Sequence, residues 1–393
     1  MILVNLSNLP FSTMRKRNQS IFVNLVEGES IFTSGIFVDV PQYLPRSASL
    51  IDRLKARKTS QRVKRFSSKI KVLSPVLYLP FSYRRPVAKI LSSCVVKKVR
   101  GLIGNQRYCL WINSPEASFL YIADGLMQGA EKVVVDLSDD FTAFKNAPDD
   151  DVDGRLKHYT EKAHAVIAIN KHVASKYPHW NTYIFPNCTD YSNFAKDDPY
   201  YYHPPVLPKP VGTKYVGFIG GFNKGRIDEP LVTRLLSQFP DITFIFVGYT
   251  NDKSLRKEIA EVGSNVLFIE SVPYEILPYF IKSFDVAIVP HLINEHTRGN
   301  DLLKVLDYMA CGVPVVTTNC SNVSKFADAL YVAQDHDEFI SLVRSLIDSQ
   351  KKHDPQKGIT YAKKFSWSST VPQLAKFLNT GHETTRKLNA SKS

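Results

Sequence analysis

Phe284-Asp-Val-Ala-Ile-Val-Pro290-His-Leu-Ile-Asn294-Glu295-His-Thr297-Arg-Gly-Asn300-Asp301-Leu-Leu-Lys304-Val-Leu-Asp307-Tyr-Met-Ala-Cys-Gly312-Val-Pro314-Val-Val-Thr-Thr318 has the pattern of a strand, a loop, a helix and a second strand. A continuous apolar run ends at Pro290, as in a strand buried on both faces. A polar loop follows. A helix then opens near Asn300 and Asp301, stops at Gly312 and feeds a second buried strand at Val313–Thr317. Lys304 and Asp307 are three residues apart, so they share one helix face near its start. A helix N-terminus with a lysine suits a diphosphate, and a carboxylate one turn on can accept hydrogen bonds from ribose hydroxyls. A plain Lys–Asp surface pair fits the same spacing.

Upstream, Tyr215-Val-Gly-Phe-Ile-Gly-Gly-Phe-Asn-Lys-Gly225 is a strand running into paired glycines before a helix. Gly220 and Gly221 let backbone N–H groups approach a phosphate, and Lys224 would add charge. Neither the dinucleotide fingerprint nor the P-loop spacing is met, so the residues alone favour a tight strand–helix turn. Further strand-like runs at 243–247, 266–269 and 330–332 alternate with helical stretches, the signature of a parallel sheet covered on both faces.

The N-terminal part repeats this pattern, with strand-like runs at 2–6, 36–40, 76–79, 108–112, 132–137 and 166–169. Five prolines between Pro199 and Pro210 read as a linker. The expected organisation is therefore an α/β protein of two doubly wound, Rossmann-like domains facing a cleft. Residues 1–196 form the first and 211–360 the second, joined by the 197–210 linker. A helix over 361–380 returns to the first domain, and 381–393 is a polar, disordered tail.

The chain has 393 residues, enough for two cores, and a formal net charge of +13. That charge is local. Residues 46–107 hold 17 Lys/Arg and a single acid, Asp52, a net +16, while the rest of the chain carries −3. Leu50 and Leu54, then Val63, Phe66, Ile70 and Leu73, recur at helical spacing inside this segment, and Val87, Leu91, Cys94, Val95, Val99 and Leu102 form a second stripe. A basic amphipathic segment fits an anionic membrane surface, with a solvated helix face as the bland alternative. Nucleic acid is not expected as a partner, since no recognisable nucleic-acid-binding module is present.

The five cysteines are an odd number without CxxC spacing, which argues against a disulfide framework or a zinc site and for reduced thiols. No uncharged apolar run reaches the ~18 residues a membrane span needs. The start, Met1-Ile-Leu-Val-Asn5, reads as a buried strand rather than a secretory signal. A cytoplasmic protein, peripheral on the inner face of a membrane, is expected.

These residues resemble group 1 glycosyltransferases of the GT-B fold, especially bacterial polysaccharide and exopolysaccharide members. Leu302 to Val316 is similar to their P-x-K-L-x-E-Y-L-A-x-G-x-P-V-V motif, and Asn294 to Arg298 to their N-x-L-T loop. Val216–Asp228 and Phe244–Gly248 resemble the first two strands of the family's second domain. Asn265–Pro278 resembles its "PYxxLP" segment, and Tyr361–Trp367 its C-terminal helix. Val135–Phe144 and Phe185–Asp190 resemble "DxxDDFxxF" and "PNGVD". The resemblance spans about 130 to 370. Asp307 stands where the family carries Glu, Leu302 replaces Pro and Cys188 replaces Gly. Gly299 occupies the place of the first Glu in a Glu-x7-Glu pair, which leaves the stereochemistry open.

The resemblance implies transfer of a sugar from a UDP- or GDP-linked donor to an acceptor hydroxyl, lipid-linked or on a polysaccharide precursor. Lys304, Gly220, Gly221 and, more weakly, Lys224 would meet the diphosphate, and Asp307 the ribose. Pro273 and Tyr274 would wall the base. Glu295, Thr297 and Asn300 are candidates for the sugar. An inverting reaction would need a general base from the first domain, where Asp139 and Asp140 follow a buried strand; helix capping is their bland reading. Arg15, Arg17 and Gln19 could meet an acceptor. The acidic run Asp149–Asp153 reads as a helix N-terminal turn, and His158 and His164 as structural. No metal or other cofactor is expected. Two other functions compete: a glycosyltransferase acting on nucleic acid, and a catalytically inactive GT-B-like binding protein.

Overall fold

The computed structural model describes residues 1–12, 16–45, 47–59, 62–78, 85–143, 151–196, 207, 210–250, 252–294, 297, 302–320, 323–326 and 328–380. The chain divides into two compact units, Met1–Pro186 with Val371–Ser393, and Asn187–Thr370.

The first unit is built on a sheet in the order β10-β9-β8-β7-β1-β2-β5-β4. Its strands are β1 (Ile2–Ser7), β2 (Ser34–Val38), β4 (Val63–Arg65), β5 (Ile70–Leu73), β7 (Tyr108–Asn113), β8 (Lys132–Leu137), β9 (Ala165–Ala168) and β10 (Thr182–Ile184). All neighbours pair in parallel except β4 with β5. The central strands β1 and β7 are buried along their whole length, as continuous apolar runs require in a sheet covered on both faces. β3 (Gln42–Tyr43) and β6 (Val76–Leu77) pair in a small separate sheet. The basic segment differs from its expected form. Leu50–Thr59 is a helix, but Val63 to Leu73 is the β4–β5 hairpin, turned at Ser67, whose Oγ accepts the N–H groups of Lys69 and Ile70. Arg85–Ile103 is the expected second helix, with Leu91, Val95 and Val99 facing the core and Cys94 outward.

The second unit has one parallel sheet in the order β13-β12-β11-β14-β15-β16. The strands are β11 (Lys214–Ile219), β12 (Ile242–Val247), β13 (Val266–Ile269), β14 (Val286–Val289), β15 (Val315–Thr318) and β16 (Tyr331–Ala333). Helices cover it on both faces, and the Leu303–Ala310 helix carries Val305, Leu306, Tyr308 and Met309 into the core. Strand order reverses between β11 and β14. A crevice opens at such a point, at the carboxyl ends of the strands.

The boundary between units lies before Asn187, earlier than expected. The residues just after it belong to the second core, because Phe194 is fully buried there against Tyr274, ring centres 5.5 Å apart and perpendicular. The expected returning helix is two helices, Pro355–Lys364 and Trp367–Thr380, the second passing to the first unit at Val371. Most of the expected linker and the tail lie outside the described residues. All five cysteines are free thiols. Among the described residues no helix is long and apolar enough to cross a membrane.

Candidate functional site

The crevice between β11 and β14 is where the second unit gathers its chemistry. β11 is followed directly by Gly220 at φ +141°, a conformation L side chains rarely adopt. A Cβ there would lie 2.6 Å from the Nζ of Lys304, so the absent side chain is the space the ammonium fills. Gly248, at φ +144°, ends β12 and lies so close to the Gly220 carbonyl that a Cβ would collide with it. The turn is pinned from the helix side, since the Ile219 N–H donates to the Tyr308 hydroxyl at 2.6 Å.

Lys304 stands over the Phe218 ring, 4.1 Å from its centre, with Nζ 3.3 Å from Nε2 of buried His291 at the end of β14. Burial, with the nearby Arg226 charge adding to it, pushes its pKa down to about 7. Asp307 is not its ion-pair partner. The Asp307 Oδ1 accepts the Thr189 hydroxyl at 2.6 Å, and burial pushes this carboxyl up to about 7 against that bond. Lys304 and Asp307 therefore do not form the surface pair that their spacing also allowed. A half-buried cation aimed at a glycine turn beside a second cation is a site that an anion would complete.

The structure brings together Gly220, Lys304 and Asp307, and adds Arg226, His291, Phe218, Tyr308 and Thr189, which sequence reasoning missed. His291 directly follows the β14 run, and Thr189 lies in the quoted Asn187–Asp190 stretch. Both carried a positional signal.

Other expected residues are placed elsewhere. Lys224 is exposed and paired with Glu258 at 2.8 Å, which fixes its charge on the surface rather than on a phosphate. Thr297 is fully buried and its hydroxyl donates to the Leu292 carbonyl at 2.6 Å and accepts the Asn294 N–H at 3.0 Å, so it shapes its loop rather than meeting a sugar. Gly221 follows Gly220 in the turn. Pro273 is exposed and caps a short turn at Tyr274–Ile276, and the Tyr274 ring packs on Phe194. Glu295 and Asn300 lie outside the described residues.

In the first unit, Asp139 Oδ1 accepts the Asp140 N–H at 2.8 Å. Asp140 is buried, with Oδ2 2.6 Å from Lys176 and 3.6 Å from His172. Burial raises its pKa, but the bonds from Lys176 and Thr142 outweigh that and hold it below the usual carboxylate range. Arg17 is buried and ion-paired to Asp136 at 3.1 Å, with its other arm on the Pro186 carbonyl at 3.0 Å, and Gln19 clasps the Ser12 backbone in both directions. Both side chains are occupied within the fold and are not presented to an acceptor. Arg15 lies outside the described residues. Asp151 caps the Val152–Glu161 helix, as the acidic run suggested; Asp149 and Asp150 lie outside the described residues. His158 pairs with Asp124 at 2.7 Å, and His164 Nδ1 accepts the Val133 N–H at 3.1 Å.

This pair of parallel-sheet units, with a cationic glycine turn at the second sheet's reversal, defines a GT-B fold. The same fold is found in sucrose-phosphate synthase from Thermosynechococcus elongatus, at 14% identity and a TM-score of 0.71 over 99% of both chains. It recurs in Anabaena HepE in complex with UDP and glucose, at 14% identity and a TM-score of 0.68 over 96% of this chain and 99% of that one. Residues 213–349, within the second unit, match the family "Glycosyl transferases group 1". The chain is 27% identical over 170 residues to TuaH of Bacillus subtilis, named for teichuronic acid biosynthesis, covering 41% of this chain and 42% of TuaH. It is 29% identical over 152 residues to O-antigen chain mannosyltransferase B of Escherichia coli, covering 37% and 38%. The chain thus spans less than half the length of these curated relatives.

Proposed function

We propose that the chain transfers a sugar from a nucleoside-diphosphate sugar, UDP- or GDP-linked, to a hydroxyl of a lipid-linked or polysaccharide-precursor acceptor at the cytosolic face of a membrane. The observation that carries this reading is Lys304 Nζ, set against the side-chain-free Gly220 turn with the Arg226 charge beside it. A leaving diphosphate gains negative charge as the glycosidic bond breaks, and preorganised cations and N–H groups stabilise that charge most where water is excluded. Lys304, Arg226 and the Gly220–Gly221 backbone take this role. Asp307 meets the ribose, and with a pKa near 7 it offers either a carboxylate or a carboxylic acid. Pro273 and Tyr274 flank the base. Glu295 and Asn300 remain the candidates for the donor sugar, and Asp139 and Asp140 for a general base if the reaction inverts. Asp140 is the weaker of the two because Lys176 already neutralises it. No metal is part of this reading. The bacterial surface-polysaccharide names of TuaH and the mannosyltransferase support the acceptor class, and the basic segment 46–107 supports action at an anionic membrane.

Isothermal titration with UDP and with GDP tests the reading. One of them binds the wild-type chain, and Lys304→Ala weakens that binding at least about tenfold, the loss expected of a charge-assisted contact. The reading fails if neither nucleotide binds, or if Lys304→Ala binds as well as wild type. A screen of nucleotide sugars for hydrolysis then names the donor.

A further inference from the structure

The Leu50–Thr59 helix is mounted with its apolar side outward. Leu50, Ile51 and Leu54 are 74%, 63% and 51% exposed. At about 100° per residue they occupy one stripe of the helix roughly 100° wide. Ala56 lies opposite this stripe and Arg53 on its flank, and both are half-buried against the protein. Arg53 donates to the Tyr78 carbonyl at 2.9 Å and to the Pro45 carbonyl at 3.3 Å. An ordinary surface helix does the reverse, burying its leucines and showing its arginines to water.

The Arg53 bonds hold that flank against the protein, and the helix start is closed locally. Ser49 and Asp52 form a capping box: the Asp52 N–H donates to Ser49 Oγ at 3.1 Å, and Asp52 Oδ2 accepts the Ser49 hydroxyl at 2.6 Å and its N–H at 3.1 Å. Asp52 is the single acid in residues 46–107, so the one negative charge of the segment is tied to its own helix cap. Lys55 is exposed one turn on from Ile51, and Lys64, Arg65 and Lys71 on β4 and β5 are exposed too.

From this geometry we propose that Leu50, Ile51 and Leu54 enter the headgroup layer of an anionic lipid bilayer, with the flanking cations on the lipid phosphates. The occupant follows from charge: an apolar wedge set in a segment of net +16 complements a surface that is negative outside and apolar just beneath. This inference rests on the membrane reading above and deepens it, because charge alone predicts adsorption without insertion.

The full chain is mixed with vesicles of phosphatidylglycerol and phosphatidylcholine in equal parts, and with phosphatidylcholine vesicles alone. The variant is the triple substitution Leu50→Ser, Ile51→Ser, Leu54→Ser, whose thermal transition is checked against wild type. In addition, Leu54→Trp reports depth through quenching by lipids brominated along their chains. Wild type is expected to bind the anionic vesicles and to keep part of that binding at about 0.5 M NaCl, where exposed charges are screened. The triple variant is expected to bind at least about tenfold more weakly, the equivalent of partly burying one such side chain, and to release fully in salt. The tryptophan is quenched. If the triple variant binds as tightly as wild type and the tryptophan is not quenched, insertion is refuted while adsorption by charge stands. Failure of wild type to bind anionic vesicles refutes both. Self-association of wild type that the triple variant loses, without vesicle binding, assigns the face to a second copy of the chain and overturns the proposal.

Discussion

The Lys304 Nζ lies 3.3 Å from His291 Nε2 and 4.1 Å from the centre of the Phe218 ring, between an imidazole edge and an aromatic face. Burial and the Arg226 charge bring its pKa to about 7, opposed by Cys320 and Asp307. Near neutrality the free site is thus divided between charged and uncharged lysine. A bound diphosphate favours the charged form, so binding above pH 7 must draw in a proton. Asp307 ionises near the same pH and adds negative charge, which works in the same direction. UDP or GDP should bind more weakly at about pH 8.5 than at about pH 6.5, with net proton uptake at the higher pH. Titration calorimetry in buffers of different ionisation heat reads this directly. In Lys304→Met the remaining uptake is that of Asp307 alone. No proton uptake in wild type would mean that Lys304 is fully charged before the ligand arrives.

Gly220→Ala tests the turn itself. The new methyl would sit 2.6 Å from Lys304 Nζ, and the residue would be forced to φ +141°. The backbone strain of a non-glycine residue at such a φ costs about 1–3 kcal/mol. The lysine end can move aside, which displaces it from His291 and from the position proposed for the diphosphate. Nucleotide affinity should fall at least about tenfold, with a melting temperature lowered by about 2–4 °C per kcal/mol of strain. Unchanged affinity would place the diphosphate elsewhere.

Much of this site was legible because buried parallel strands and their carboxyl-end loops leave strong marks. The runs Val286–Val289 and Val315–Thr318 are β-branched or small and buried throughout, and the glycine pair after β11 sits where a ligand turn belongs. What the sequence could not carry were contacts between distant segments. Nothing near Lys224 announces Glu258, and nothing near Arg17 announces Asp136. The hairpin at 63–73 is ambiguous in sequence because Val63, Phe66, Ile70 and Leu73 fit a helical period as well as two short strands. The turn residues Ser67 and Ser68 were the overlooked signal. Phe194 misplaced the unit boundary, since a single aromatic near a proline-rich run does not reveal which core receives it.

Asp307→Asn separates stability from binding. Burial raises this carboxyl from 3.8 to about 7, so the folded state holds its proton more tightly than the unfolded chain does. Stability is therefore lost as pH rises from about 4 to 7, and the cost is fully present above 7. The neutral amide removes that cost while its oxygen can still accept the Thr189 hydroxyl. The variant should melt higher than wild type at about pH 8, with little gain at about pH 4, and should bind nucleotide more weakly if Asp307 meets the ribose. An equal effect at both pH values would show that Asp307 is ionised in the fold without penalty.

Arg17 and Asp136 offer the sharpest contrast between a binding residue and a structural one. The pair is buried at 3.1 Å, the Arg17 guanidinium also lies 5.3 Å from the centre of the Phe185 ring, and its second arm reaches the Pro186 carbonyl. Removing one partner strands the other charge away from water, at a typical cost of about 3–5 kcal/mol, whereas replacing both by apolar groups is often neutral. Arg17→Met should therefore unfold the first unit at markedly lower denaturant, and the double variant Arg17→Met with Asp136→Leu should recover most of the loss. An acceptor-binding arginine behaves in the opposite way: its single substitution leaves the unfolding midpoint in place and lowers transfer activity, which the second substitution does not restore. Unfolding midpoints of the two variants, followed by intrinsic fluorescence, decide between these outcomes.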